Sequence, residues 1–78
     1  MSDRLPAVKP KELIKVLERQ GWRLERIRGS HHILVHSEQR RALPTPVHGR
    51  ELKTGTLTSI LRLAGISREE FSRLLREA

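Results

Sequence analysis

Two strand-like runs, Trp22 to Arg28 and His31 to His36, are separated by only two residues, Gly29 and Ser30. So short a connection makes two extended segments an antiparallel hairpin, and a glycine in the loop suits the backbone angles such a turn requires. The second run alternates cleanly, with Ile33 and Val35 on one side and His32, Leu34 and His36 on the other. The first begins in the same manner, Trp22 and Leu24 sharing a face. Ile27 then breaks the alternation, which predicts a bulge or an early end to the strand.

The flanking segments complete an α+β pattern. Met1 to Val8 reads as an irregular lead, and Pro10 suits the first position of a helix, where its missing N–H costs nothing. Leu13, Ile14, Val16 and Leu17 fall mostly on one side of that helix, and Gly21 ends it. Arg41 to Val47 is a third strand, placed at a sheet edge because Pro44 and Pro46 cannot donate to a ladder. Thr54 or Thr56 is expected to cap a helix in which Leu57, Ile60, Leu61 and Ala64 repeat at helical spacing, closed by Gly65. Ser67 and Glu70 form a capping box for a last helix over positions 67–78, with Ile66 and Phe71 placed to staple across it. The 78 residues read as one domain: helices on one face of a three-stranded antiparallel sheet.

Composition narrows the chemistry. There is no cysteine, so disulfides, zinc–thiolate centres and cysteine nucleophiles are excluded together. No apolar run approaches the roughly 20 residues that cross a bilayer, and Met1 to Pro10 lacks a signal-peptide core, so a soluble cytoplasmic protein is expected. The net charge is +7, and 12 of the 16 basic residues are arginine, whose planar fork pairs bidentately with phosphate. Six arginines against two glutamates lie between Arg19 and Arg41, so the excess gathers around the hairpin. Such an excess either keeps a small protein soluble or attracts a polyanion.

Within that basic region the tetrapeptide Gly29-Ser30-His31-His32 stands out, because histidine transfers protons near neutral pH. His31 is a candidate general acid or base for RNA cleavage, with Gly29 admitting close backbone approach and Ser30 able to donate to a phosphate oxygen. Alternatively it is a turn histidine bonded locally. His32 falls on the opposite face, a structural residue or a protein contact, and His36 reads as exposed. His32 and His36 lie roughly 13 Å apart along a strand, too far for one metal ion, so no metal or other cofactor is expected. His48 is a possible second acid or base, or simply a loop residue. Arg23, Arg26, Arg28, Arg40 and Arg41 are candidates to track an RNA backbone, or to pair with Glu25 and Glu38. Lys53 and Thr56 flank a helix start that is either a phosphate seat or an ordinary capped terminus. Trp22 reads as core rather than as a base-stacking platform.

Taken in order, Glu12-Leu13-Ile14-Lys15-Val16-Leu17-Glu18, Gly21-Trp22, Gly29-Ser30-His31-His32, Pro46-Val47-His48-Gly49, Glu51-Leu52-Lys53, Gly55-Thr56-Leu57, Ile60-Leu61 and Ala64-Gly65 resemble the HicA toxins of bacterial toxin–antitoxin systems. The resemblance runs from about Lys9 to Phe71. It implies a fold similar to a double-stranded-RNA-binding domain, α-β-β-β-α, here with an additional C-terminal helix. It also implies an mRNA endoribonuclease that arrests translation, is held inactive by a HicB-type antitoxin and uses His31 as its catalytic histidine. Gly29 belongs to the same motif. The run Leu43-Pro44-Thr45-Pro46-Val47-His48-Gly49 departs from the family pattern and leaves the pairing of the third strand open. The competing reading is a non-catalytic module that recognises duplex RNA by shape.

Overall fold

The computed structural model describes residues 5, 7–47 and 49–77. Helix α1 (Pro10–Arg19) is followed by strands β1 (Trp22–Arg28), β2 (His31–His36) and β3 (Ala42–Pro46), then by helices α2 (Thr54–Ala64) and α3 (Arg68–Glu77). The strands form an antiparallel sheet in the order β1-β2-β3, as the two-residue loop requires. The expected α+β layer is therefore what forms. Of the irregular lead Met1 to Val8, Leu5, Ala7 and Val8 are described, and positions 1–4 and 6 lie outside the described residues. Val8 is buried, and its carbonyl accepts a hydrogen bond from the Leu52 N–H at 2.9 Å.

A hydrophobic cluster joins all three helices to one face of the sheet. It contains Leu13, Val16 and Leu17 of α1, Leu57, Ile60, Leu61 and Ala64 of α2, and Phe71 and Leu74 of α3. The sheet contributes Trp22, Leu34 and Leu43. Burying each large side chain of this kind contributes about 1.5–3 kcal/mol, so the helical periodicity read from the sequence is also the map of the core. Ile66 and Phe71 are both in the cluster, and the Glu70 N–H donates to Ser67 Oγ at 3.0 Å, as the capping motif predicts.

Helix boundaries follow local chemistry, with two corrections. Pro10 is the first residue of α1, and the Lys9 N–H ahead of it donates to Glu12 Oε1 at 2.9 Å. Gln20 is the C-cap and Gly21 follows with φ +98°, whereas Gly65 itself caps α2 in the left-handed region. Neither Thr54 nor Thr56 caps α2. Lys53 occupies the N-cap with extended backbone and no side-chain bond, so both threonines lie inside the helix.

His36 is the second correction. It is half-buried rather than simply exposed, and both ring nitrogens are engaged. Nδ1 accepts from the Glu38 N–H at 3.0 Å, which leaves Nε2 as the donor to the Gln20 carbonyl, also at 3.0 Å. Its ring meets Trp22 edge-on with centroids 5.2 Å apart. A Cβ on Gly21 would lie 2.6 Å from Nε2, so only glycine fits where the chain leaves α1. His36 thus clasps the α1–β1 junction.

Candidate nucleic-acid interface

The β1–β2 hairpin positions the proposed site. Arg28 pairs with His31 across the two-residue loop, in which Gly29 has φ +59° and Ser30 does not have a positive φ. That is the pattern of a type II′ turn, whose first loop position calls for glycine. The Gly29 requirement is conformational rather than steric, because a Cβ there would meet nothing within 4 Å. The Val47 N–H donates to the Ser30 carbonyl at 2.7 Å, so the end of β3 pins the turn from the other side. Backbone N–H groups alternate along a strand, so this bond directs the donorless nitrogens of Pro44 and Pro46 to the outer edge of the sheet.

The expected bulge is present, and its position matters more than its existence. Leu24 pairs with Leu34 and Arg26 with Ile33, so Glu25 is the extra residue. Without the bulge, Arg23 would share a face with Glu25 and Ile27, while Arg26 and Arg28 would sit on the side of Leu24. With it, Arg23, Arg26 and Arg28 pair with Val35, Ile33 and His31, which all lie on the face that the helices leave open. By absorbing Glu25, the bulge keeps three guanidinium groups and His31 on one surface.

On this open face His31 is exposed, with Arg28 beside it on β1 and Pro46 on β3. Ile33 is only 7 % exposed although it is not part of the helix-side cluster, so its neighbours on this face shield it. Among the described residues, the side chains of Arg23, Arg26, Arg28 and His31 make no hydrogen bond or ion pair. Ion pairs are found within α3 instead, where Arg73 reaches Glu70 and Glu77. The arginines are not neutralised by Glu25 or Glu38.

Other candidates are placed elsewhere. Arg40 and Arg41 lie in the β2–β3 connection just before Ala42, whose partner Val35 is roughly 13 Å along the strand from His31. Arg41 Nη1 reaches the Leu63 carbonyl near the end of α2 at 3.5 Å. Lys53 and Thr56 lie at the start of α2, Lys53 exposed and Thr56 half-buried. His48 lies outside the described residues. His32 is on the covered face, where its Nδ1 and the Oγ1 of its cross-strand partner Thr45 are both buried without a hydrogen-bond partner among the described residues. Among the described residues no three histidines or carboxylates gather as a metal-binding group. No helix among them is long and apolar enough to cross a membrane.

The sequence reading missed two exposed side chains on the helix side of β1, Leu24 at 43 % and Ile27 at 56 %. The break in alternation at Ile27 was the available signal, since a residue displaced by a bulge has to land beyond the helices or beneath them.

Helices packed on one face of a three-stranded antiparallel sheet, in the order α-β-β-β-α with a further helix, define an α+β protein whose architecture is compatible with a double-stranded-RNA-binding-domain-like fold. Residues 10–66, from the start of α1 to just past α2, match the family model described as the HicA toxin of bacterial toxin–antitoxin, and the chain belongs to that family. Helix α3 falls outside the matched segment. A comparison with curated proteins returned no match.

Proposed function

We propose that this toxin is a metal-independent endoribonuclease that cleaves mRNA in the cytoplasm and is neutralised by a HicB-type antitoxin. The observation that carries the reading is the open face of the sheet, where His31 stands beside Arg28 with Arg26 and Arg23 further along the same surface, all without protein partners among the described residues. Guanidinium groups free of carboxylates are available to phosphates. An exposed imidazole is available to a ribose hydroxyl or a leaving oxygen.

The chemistry is a transesterification. The ribose 2′-oxygen attacks the adjacent phosphorus while its proton passes to a base, and the bond from phosphorus to the 5′-oxygen breaks as that oxygen takes a proton. The products are a 2′,3′-cyclic phosphate and a 5′-hydroxyl. His31 serves as the base, the acid or both, and the arginines offset the charge that builds on the phosphoryl oxygens. Ser30 and Gly29 hold the turn that presents His31, and Lys53, Thr56, Arg40 and Arg41 extend the basic surface beyond the reacting phosphate.

The test is end-labelled single-stranded RNA incubated with wild-type protein and with His31→Ala, both in excess EDTA. Cleavage by the wild type alone, leaving cyclic-phosphate ends, is the expected result. Cleavage that stops in EDTA, or that persists undiminished in His31→Ala, overturns the mechanism. Intact RNA with both proteins, together with retained binding to a duplex, transfers the assignment to a shape-reading RNA-binding module.

A further inference from the structure

The two edges of the sheet are unlike. The outer edge of β3 is broken by Pro44 and Pro46, whereas β1 offers seven proline-free residues with no strand beyond them among the described residues. Two different surfaces flank that free edge. On the open side are Arg23, Arg26 and Arg28, and on the helix side are the uncovered Leu24 and Ile27, the latter opposite His32. We propose that the edge of β1 is a docking site for an acidic, extended protein segment, which adds to the sheet as a fourth strand.

Strand addition uses main-chain hydrogen bonds for affinity and alternate side chains for specificity. A segment with carboxylates at every second position would set them against the three arginines. Its intervening apolar side chains would cover Leu24 and Ile27. The charges also choose between occupants. A second copy of β1 would bring Arg23, Arg26 and Arg28 against their own counterparts, with Glu25 the one acid available on each side, and like charges across a strand pair are destabilising. Arginines and a bulge on an edge discourage indiscriminate pairing, so the partner has to be complementary in charge. An acidic strand bound here would engage the guanidinium groups assigned above to RNA. That consequence rests on the proposed function; docking does not.

The site is tested with the full chain, isotopically labelled and titrated to millimolar concentration with a synthetic peptide of alternating valine and glutamate, about nine residues long. A valine–lysine peptide serves as the control. Amide shifts and slowed hydrogen exchange confined to Leu24–Arg28 and its flanks are expected with the acidic peptide alone. Leu24→Thr combined with Ile27→Thr keeps the charge and strand propensity, and should weaken binding about tenfold, or 1.4 kcal/mol. Absence of shifts overturns the site, as does an equal response to the lysine peptide. Binding unaffected by the double substitution reduces it to simple charge attraction and also overturns strand addition. RNA cleavage by the double variant, measured without peptide, should match the wild type, so failure of the nuclease reading shows separately.

Discussion

His31 and His32 are neighbours in sequence and opposites in circumstance. Among the described residues, one side of β2 presents His31 to solvent among three unpaired arginine side chains, and the other turns His32 toward the helices, where its Nδ1 is buried and unpartnered. Strand geometry alone separates them, since successive side chains point to opposite faces. The open face carries polar groups available to a ligand, while the covered face carries Leu34, Leu43 and Trp22, which hold the fold. The same six residues of β2 thus offer a solvent-facing histidine on one side and cohesion on the other.

If that division holds, substitutions on the two faces should fail in different assays. The largest effect is expected from His31→Ala, a loss of about 10²–10⁴-fold in RNA cleavage with the melting temperature unchanged. A matching drop in melting temperature would break the comparison. Leu34→Ala, fully buried on the other face, should cost about 2–5 kcal/mol in urea unfolding, enough to leave a small domain marginal. Gly21→Ala should cost about 1–3 kcal/mol, because it combines a positive φ with a Cβ pressed against the His36 ring; this is measurable in the same titration. Thr45→Val sharpens the contrast most finely. It removes a buried hydroxyl that has no partner and keeps the shape, so stability should not fall and should rise by about 1 kcal/mol. A clear loss would mean that the hydroxyl is bonded after all.

Much of the frame was legible in the sequence because it depends on local rules. The two-residue loop fixed the hairpin, Pro10 and Gly65 marked helix ends, and the spacing of Leu57, Ile60, Leu61 and Ala64 named a buried stripe. Most of what escaped depends on residues distant in sequence, the start of α2 being a local exception. His36 read as exposed because its acceptor, the Gln20 carbonyl, lies 16 positions earlier across the hairpin. The threonines of α2 read as caps on side-chain preference, but the chain enters that helix one residue sooner, at Lys53. Among the candidate phosphate contacts, a count of arginines could not divide Arg23, Arg26 and Arg28 from Arg40 and Arg41. That division follows from the register of the sheet and the position of its bulge.

The bulge at Glu25 has a consequence at the level of the gene. In a strand the identity of each face is a matter of parity, odd positions against even, and one codon inserted or removed exchanges them for everything downstream unless the backbone absorbs the change. The bulge absorbs one such residue. Without the Glu25 codon, Leu24 and Arg26 would be neighbours opposite Leu34 and Ile33, so Arg26 and Arg28 would keep the open face and Ile27 the helix side. A codon lost between Arg26 and Arg28 would have no such buffer. The same three nucleotides are thus neutral to the polarity of this surface at one point of β1 and decisive a few residues on.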